Sequence, residues 1–323
     1  MFSGLHQELI SKLLIIATLS CWGQSTPSSP QQDKKIPERT IFVRGAVPSA
    51  TDTETPVPEN GVILNNVYTN QYFHLSYPIP SGWHEEFKGP PPSDHGYYVL
   101  AELRPAKSSN DQISGTILIQ AQDLFFTLLP AGNVVELIRH MKETLGPEYK
   151  VERPPAEIKI ANRPFIRLDY VAPVAGLHFY VLATEARCHA LEFVFTSRDP
   201  ALLEKLIQQM DGVKFTDGNS PVCIGNYAGG NSLTYKVDPV LKDRRFNPIP
   251  GRVIISKEGK VKHVHFISAF PDQAEIIKQA LLQWKFNPYM QNGQPSEVET
   301  GILFGAAQTT PAKPAGPAPK SPD

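Results

Sequence analysis

Cysteine is scarce: three residues in a chain of 323, at positions 21, 188 and 223. Cys21 falls in the N-terminal apolar segment, so Cys188 and Cys223 are the one pair left for an internal disulfide in an exported chain. A charge excess of either sign is also missing. With 31 Lys and Arg against 32 Asp and Glu the net charge is −1, whereas a nucleic-acid binder shows a basic surplus. The apolar run at 13–19 is too short for the roughly 20 residues that a membrane helix needs. Catalytic signatures are lacking as well: there is no G-x-S-x-G elbow, no P-loop and no dinucleotide fingerprint. These absences lead to the expectation of a non-enzymatic protein with no cofactor and no nucleic-acid partner.

What is present divides the chain. Lys12 ahead of the run at 13–19 reads as an export signal over 1–23, giving a periplasmic or secreted protein with no membrane span once the signal is cleaved. Ser20-Cys21 is the alternative, a lipoprotein attachment site, but Thr18 stands where that signal favours Leu. Residues 24–60 are Ser-, Pro- and Gln-rich and read as linker. Order is expected over 61–216: strands near 97–103, 116–122, 157–161, 165–171, 177–184 and 191–196, and helices at 134–145 and 200–210, capped by Asn133 and Asp199. The Gly/Asn-rich 217–231 reads as a flexible connector. Residues 232–306 form a second unit, and the Pro/Ala-rich tail 307–323 is without apolar periodicity.

Within that second unit the pattern is strand, turn, strand, helix, strand, turn, strand. Val253 and Ile255 alternate with their neighbours, Lys257-Glu258-Gly259-Lys260 reverses the chain, and Val261, Val264 and Phe266 resume. Asp272 with Glu275 suggests a capping box ahead of the apolar stripe Ile276, Ile277, Ala280, Leu281 and Trp284. Asn292-Gly293 is a strong hairpin signal. This ββαβ run, with Trp284-Lys285-Phe286-Asn287-Pro288 and Asn292-Gly293-Gln294-Pro295, resembles the C-terminal domain of TonB. The stretch Asn70-Gln71-Tyr72-Phe73-His74-Leu75-Ser76-Tyr77-Pro78, then Gly82-Trp83 and a late helix before Val213-Lys214-Phe215, resembles the PsbP-like family of exported domains.

The two resemblances imply an α+β protein: an antiparallel sheet with packed helices, then the small ββαβ unit. They imply a binding role toward a cell-envelope protein, an outer-membrane receptor in the TonB case, with a link to transport. The final strand, Val298–Phe304, is expected at a sheet edge where a partner strand adds on, so Tyr289, Val298, Thr300, Ile302 and Phe304 are the candidate partner-binding residues. The alternative is an envelope assembly factor whose TonB-like unit forms a homodimer. A hydrolase or metal-binding protein is the third reading. For it His263-Val264-His265 offers two imidazoles on one strand face, but no third ligand stands at diagnostic spacing. Asp94-His95-Gly96 reads as a turn, and Glu85-Glu86 do not face each other. His189 beside Cys188 points to the opposite strand face.

Overall fold

The computed structural model describes residues 47–48, 58, 61–88, 96–106, 115–126, 131–216, 220–241 and 249–304. The expected signal, most of the 24–60 linker, Asp94-His95 and the tail from 307 lie outside the described residues.

After β1 (Val47–Pro48) the first unit runs β2 (Val62–Leu64), β3 (Val67–Asn70), β4 (Leu75–Pro78), β5 (Trp83–Lys88), β6 (Tyr97–Pro105) and β7 (Thr116–Asp123). Helix α1 (Val134–Glu143) follows, then β8 (Lys150–Ile160), β9 (Arg163–Ala172), β10 (Leu177–Ala186), β11 (His189–Ser197), α2 (Pro200–Gln209) and β12 (Lys214–Phe215). Seven of these strands make one antiparallel sheet in the order β5-β6-β7-β11-β10-β9-β8, and four make a second, β12-β4-β3-β2.

The larger sheet is buried on both faces, so every residue of β7 and β11 is buried, the polar ones among them included. One face, with Leu103, Ile117, Phe193 and Phe195, meets Tyr68 and Tyr77 of the small sheet and Leu203 and Leu206 of α2. The other, with Val99, Leu118, Leu168 and Val181, is covered by Ile138 of α1. Both helices start where short polar side chains satisfy free amides: Asn133 accepts from Glu136 N at 2.9 Å and Asp199 from Ala201 N at 2.9 Å. Strand β8 is the outer strand at one end, and Pro154-Pro155 stand within it beside two irregularities of register.

The second unit adds β13 (Val222–Cys223), β14 (Leu233–Tyr235), β15 (Ile249–Ile255), β16 (Val261–Phe266), β17 (Ser268–Ala269) and helix α3 (Pro271–Leu281). It closes with β18 (Lys285–Phe286), β19 (Tyr289–Gln291), β20 (Gln294–Ser296) and β21 (Val298–Phe304). Its sheet runs β13-β21-β15-β16, with β1 paired to β17 alongside. On one face Val253, Val264, Phe266, Val298 and Ile302 bury against Ile277 and Leu281 of α3 and against Trp284, whose indole N–H donates to the Val237 carbonyl at 2.7 Å. Gly259 and Gly293 take positive φ, +77° and +76°, at the two turns.

Three expectations are corrected here. The described residues are β-rich, with strands at 51% and helices at 16% of them, and not a balanced α+β fold with packed helices: three α-helices serve six sheets among them. Helix α3 begins one residue before Asp272, with Phe270 at the cap position and Pro271 opening the first turn, a position where proline loses no helical bond. The stretch after 220 is not a loose hinge. Strand β13 joins the C-terminal sheet, and Tyr227 stacks on Phe286 at 6.0 Å while its hydroxyl donates to the Asn287 carbonyl at 2.7 Å.

Candidate functional site

The densest group of titratable side chains lies where the two units meet. Strand alternation puts Val253 and Ile255 on the core face of β15 and turns Arg252 the other way, toward the first unit. On that face Arg252 pairs across the sheet with His265 on one side and Gly301 on the other. A Cβ at Gly301 would come within 3.0 Å of Phe125 Cβ and Phe126 Cζ, so glycine is what allows the loop after β7 to lie directly on the sheet.

Arg252 is 2% exposed and its guanidinium is saturated. Nη1 donates to Asp123 Oδ2. Nε and Nη2 both donate to Glu299 Oε1, at 3.0 and 2.7 Å, and Nη2 also donates to the Arg187 carbonyl at 3.1 Å. Its plane lies over the Phe125 ring at 5.1 Å. Asp123 in turn accepts from the Phe125 and Phe126 amides at 2.7 and 2.9 Å, which fixes the loop. Burial works against the Arg252 charge, but Asp123 and Glu299 beside it hold its pKa well above the usual arginine value.

His189, fully buried, is ringed by Tyr72, Phe73 and Tyr98 at centroid distances of 5.5, 5.3 and 5.7 Å. Its Nδ1 donates to the Arg187 carbonyl at 2.6 Å, which leaves Nε2 as the acceptor toward Arg252 Nη1 at 3.4 Å. Burial, and then the neighbouring guanidinium, keep this imidazole neutral, with its pKa pushed well down. His265 is 3% exposed with no hydrogen-bond partner on either ring nitrogen among the described residues. Burial and then Arg252 push its pKa down to about 3.

Arg187 and Cys188 form the two-residue turn between β10 and β11, both at positive φ, 46° and 60°. That turn delivers Cys188 to a disulfide with Cys223 of β13, Cα to Cα 5.5 Å. Cys188 Sγ also lies 3.8 Å from Glu299 Oε2. The disulfide therefore ties the first unit to the C-terminal sheet beside the Arg252 cluster.

The strand expected to accept a partner is placed differently. β21 is flanked along its length by β15, and at Val298 and Glu299 by β13 in parallel. Val298, Thr300 and Ile302 point into the core, at 1%, 0% and 8% exposure, and Thr300 Oγ1 accepts from the Tyr227 amide at 3.1 Å. They cannot present side chains to a partner. Tyr289 and Phe304 are half-buried against the same core, while Met290, on the β19–β20 hairpin, is 53% exposed. Of the His-Val-His run, Val264 faces the core, His263 is half-exposed and His265 is buried at the junction. No group of three metal-ligating residues occurs among the described residues, and no helix among them is long and apolar enough to cross a membrane.

Sequence reasoning missed Asp123, Arg252 and Glu299. A lone arginine within an apolar strand run is the one local signal that marked the cluster.

A second buried carboxyl stands apart. Glu192 on β11 is 1% exposed; Oε2 accepts from Gln120 Nε2 at 2.7 Å and Oε1 has no partner. Burial raises its pKa to about 7 from 4.5. An unfolded chain gives up this proton near pH 4.5, while the folded one keeps it until about pH 7. Stability from this group is thus complete below pH 4.5, falls as pH rises to 7 and is flat above. Glu192→Gln should match the native chain at pH 4 in urea melts and exceed it by about 3 kcal/mol at pH 8. Equal stability of the two at pH 8 would show that the carboxyl carries no such penalty.

No protein-family model matches the chain, and no curated protein matches it. Among solved structures it is similar to the solution structure of cyanobacterial PsbP (CyanoP) from Synechocystis sp. PCC 6803, at 11% identity over 50% of this chain and 98% of that chain, with a TM-score of 0.32. A likeness of that size carries no argument about fold or function.

Proposed function

We propose that this is an exported, non-enzymatic protein that binds a partner in the cell envelope through its C-terminal unit. The observation that supports this best is the Arg252 cluster itself. The side chains with the chemistry to act on a substrate, Asp123, His189, Arg252 and Glu299, are buried and spent on one another and on backbone, so none of them meets solvent where a substrate would arrive. The Cys188–Cys223 disulfide fits an oxidising compartment.

Since Val298, Thr300 and Ile302 are buried and β13 pairs with β21 at Val298 and Glu299, the docking element in this reading is the β19–β20 hairpin, which turns at Asn292-Gly293 and carries Met290 outward. An exposed, unbranched apolar side chain is well suited to a contact core. Envelope extract passed over the immobilised full chain should leave a protein that the Met290→Asp chain retains at least tenfold less, with identical melting of the two chains. Retention that is indifferent to Met290 removes the hairpin from the reading. Turnover of a substrate by the full chain, lost with an exposed side chain, would remove the non-enzymatic reading altogether.

A further inference from the structure

Three features close the junction between the units: the Arg252 ion cluster, the seat of Phe125 and Phe126 on Gly301, and the Cys188–Cys223 disulfide. The first contributes little net closure, because removing a guanidinium and two carboxylates from water offsets most of their mutual attraction. The second is small, since both phenyl rings remain half-buried and rest on the bare backbone of Gly301 beside the Arg252 guanidinium. The covalent link is what remains, and it spans the two units at the turn whose Arg187 carbonyl also holds Arg252.

We propose that the junction is a redox-controlled closure: oxidised, the two units are locked as one body; reduced by a dithiol, they part at Arg252 and admit water to Asp123, Arg252 and Glu299. One thiolate of the dithiol attacks Cys223 Sγ, the more exposed sulfur, while Cys188 is buried. The S–S bond breaks, a mixed disulfide forms on Cys223, and Cys188 departs as a thiolate that takes up a proton. The second thiolate of the dithiol then attacks the mixed disulfide and frees Cys223. The dithiol ends as a disulfide, and its two electrons reside on the two cysteine thiols. In the closed form the Glu299 carboxylate 3.8 Å from Cys188 Sγ disfavours the departing Cys188 thiolate, which slows reduction and keeps the junction shut against weak reductants.

The test is hydroxyl-radical footprinting of the full chain, oxidised and after dithiothreitol, with alkylation and mass analysis confirming two free thiols. The Cys188→Ser/Cys223→Ser chain serves as a second sample without reductant. Modification of His265, 3% exposed in the closed form, should rise at least tenfold on reduction, while Tyr77 and Phe193, deep in the first core, stay unchanged. Complete reduction with His265 still protected overturns the proposal. So does a rise at all three positions, which would assign the disulfide to global stability. If the serine variant fails to fold, the reduced native chain alone decides between these results.

Discussion

Arg252→Met should destabilise the protein by about 3–5 kcal/mol, because it leaves Asp123 and Glu299 buried side by side without their shared counter-charge. The loss is electrostatic, since methionine fills a similar volume over Phe125. Adding Asp123→Asn and Glu299→Gln to Arg252→Met should therefore restore most of it: both amides keep acceptor oxygens, including those that receive the Phe125 and Phe126 amides, and neither carries charge. Urea melts at pH 7 of the single and triple variants read this directly. A single variant within about 1 kcal/mol of the native chain would mean that the carboxylates find water, and that the junction is looser than the geometry described here.

The second large effect is on acid stability. His265 takes a proton near pH 6.5 in an unfolded chain and only near pH 3 in the folded one. Its pKa is depressed, so the unfolded state binds more protons between those limits. Stability is complete above pH 6.5 and falls as pH drops toward 3, by up to about 4–5 kcal/mol from this one imidazole. His189 acts in the same direction. Glu192 acts oppositely between pH 4.5 and 7, so the effect is read as a difference: His265→Leu minus the native chain, by urea melts from pH 7.5 to 3.5. The variant should gain relative stability steadily as pH falls below 6.5. A constant difference across that range would place His265 in contact with solvent.

How far the sequence revealed these features follows from how local each one is. Asn133 and Asp199 cap their helices through bonds spanning two or three residues, and Lys257–Lys260 and Asn292-Gly293 turn within four, so chemistry visible in a short window decided them. The start of α3 was misplaced because Pro271 sets the first turn by its fixed φ and outweighs the capping pattern at Asp272. Strand β8 was read only in its second half: Pro154-Pro155 resemble a break, yet an outer strand tolerates prolines where its register with the neighbouring strand is already irregular. The edge position of β21 was misjudged because its neighbour β13 comes from a glycine-rich stretch that reads as connector.

The Arg252 cluster was beyond local reading for a plain reason. Asp123 and Arg252 are 129 positions apart, and Arg252 and Glu299 are 47 apart. Only the packing of two separately patterned units brings them together, and a sequence window carries no record of that. Counting left Cys188 and Cys223 as the one possible pair; that they bond, across the junction and next to Glu299, needed the fold.

The paired prolines of β8 have a consequence for life in a crowded compartment. A seven-stranded sheet with a plain outer strand is a template on which another copy of the chain can grow, strand upon strand, into an insoluble fibre. Pro154 and Pro155 offer no N–H at two positions in a row, so whichever of them faces the rim leaves a gap in its donors, and the broken register beside them bends what is left. The first unit can thus stay at high concentration without polymerising from this side.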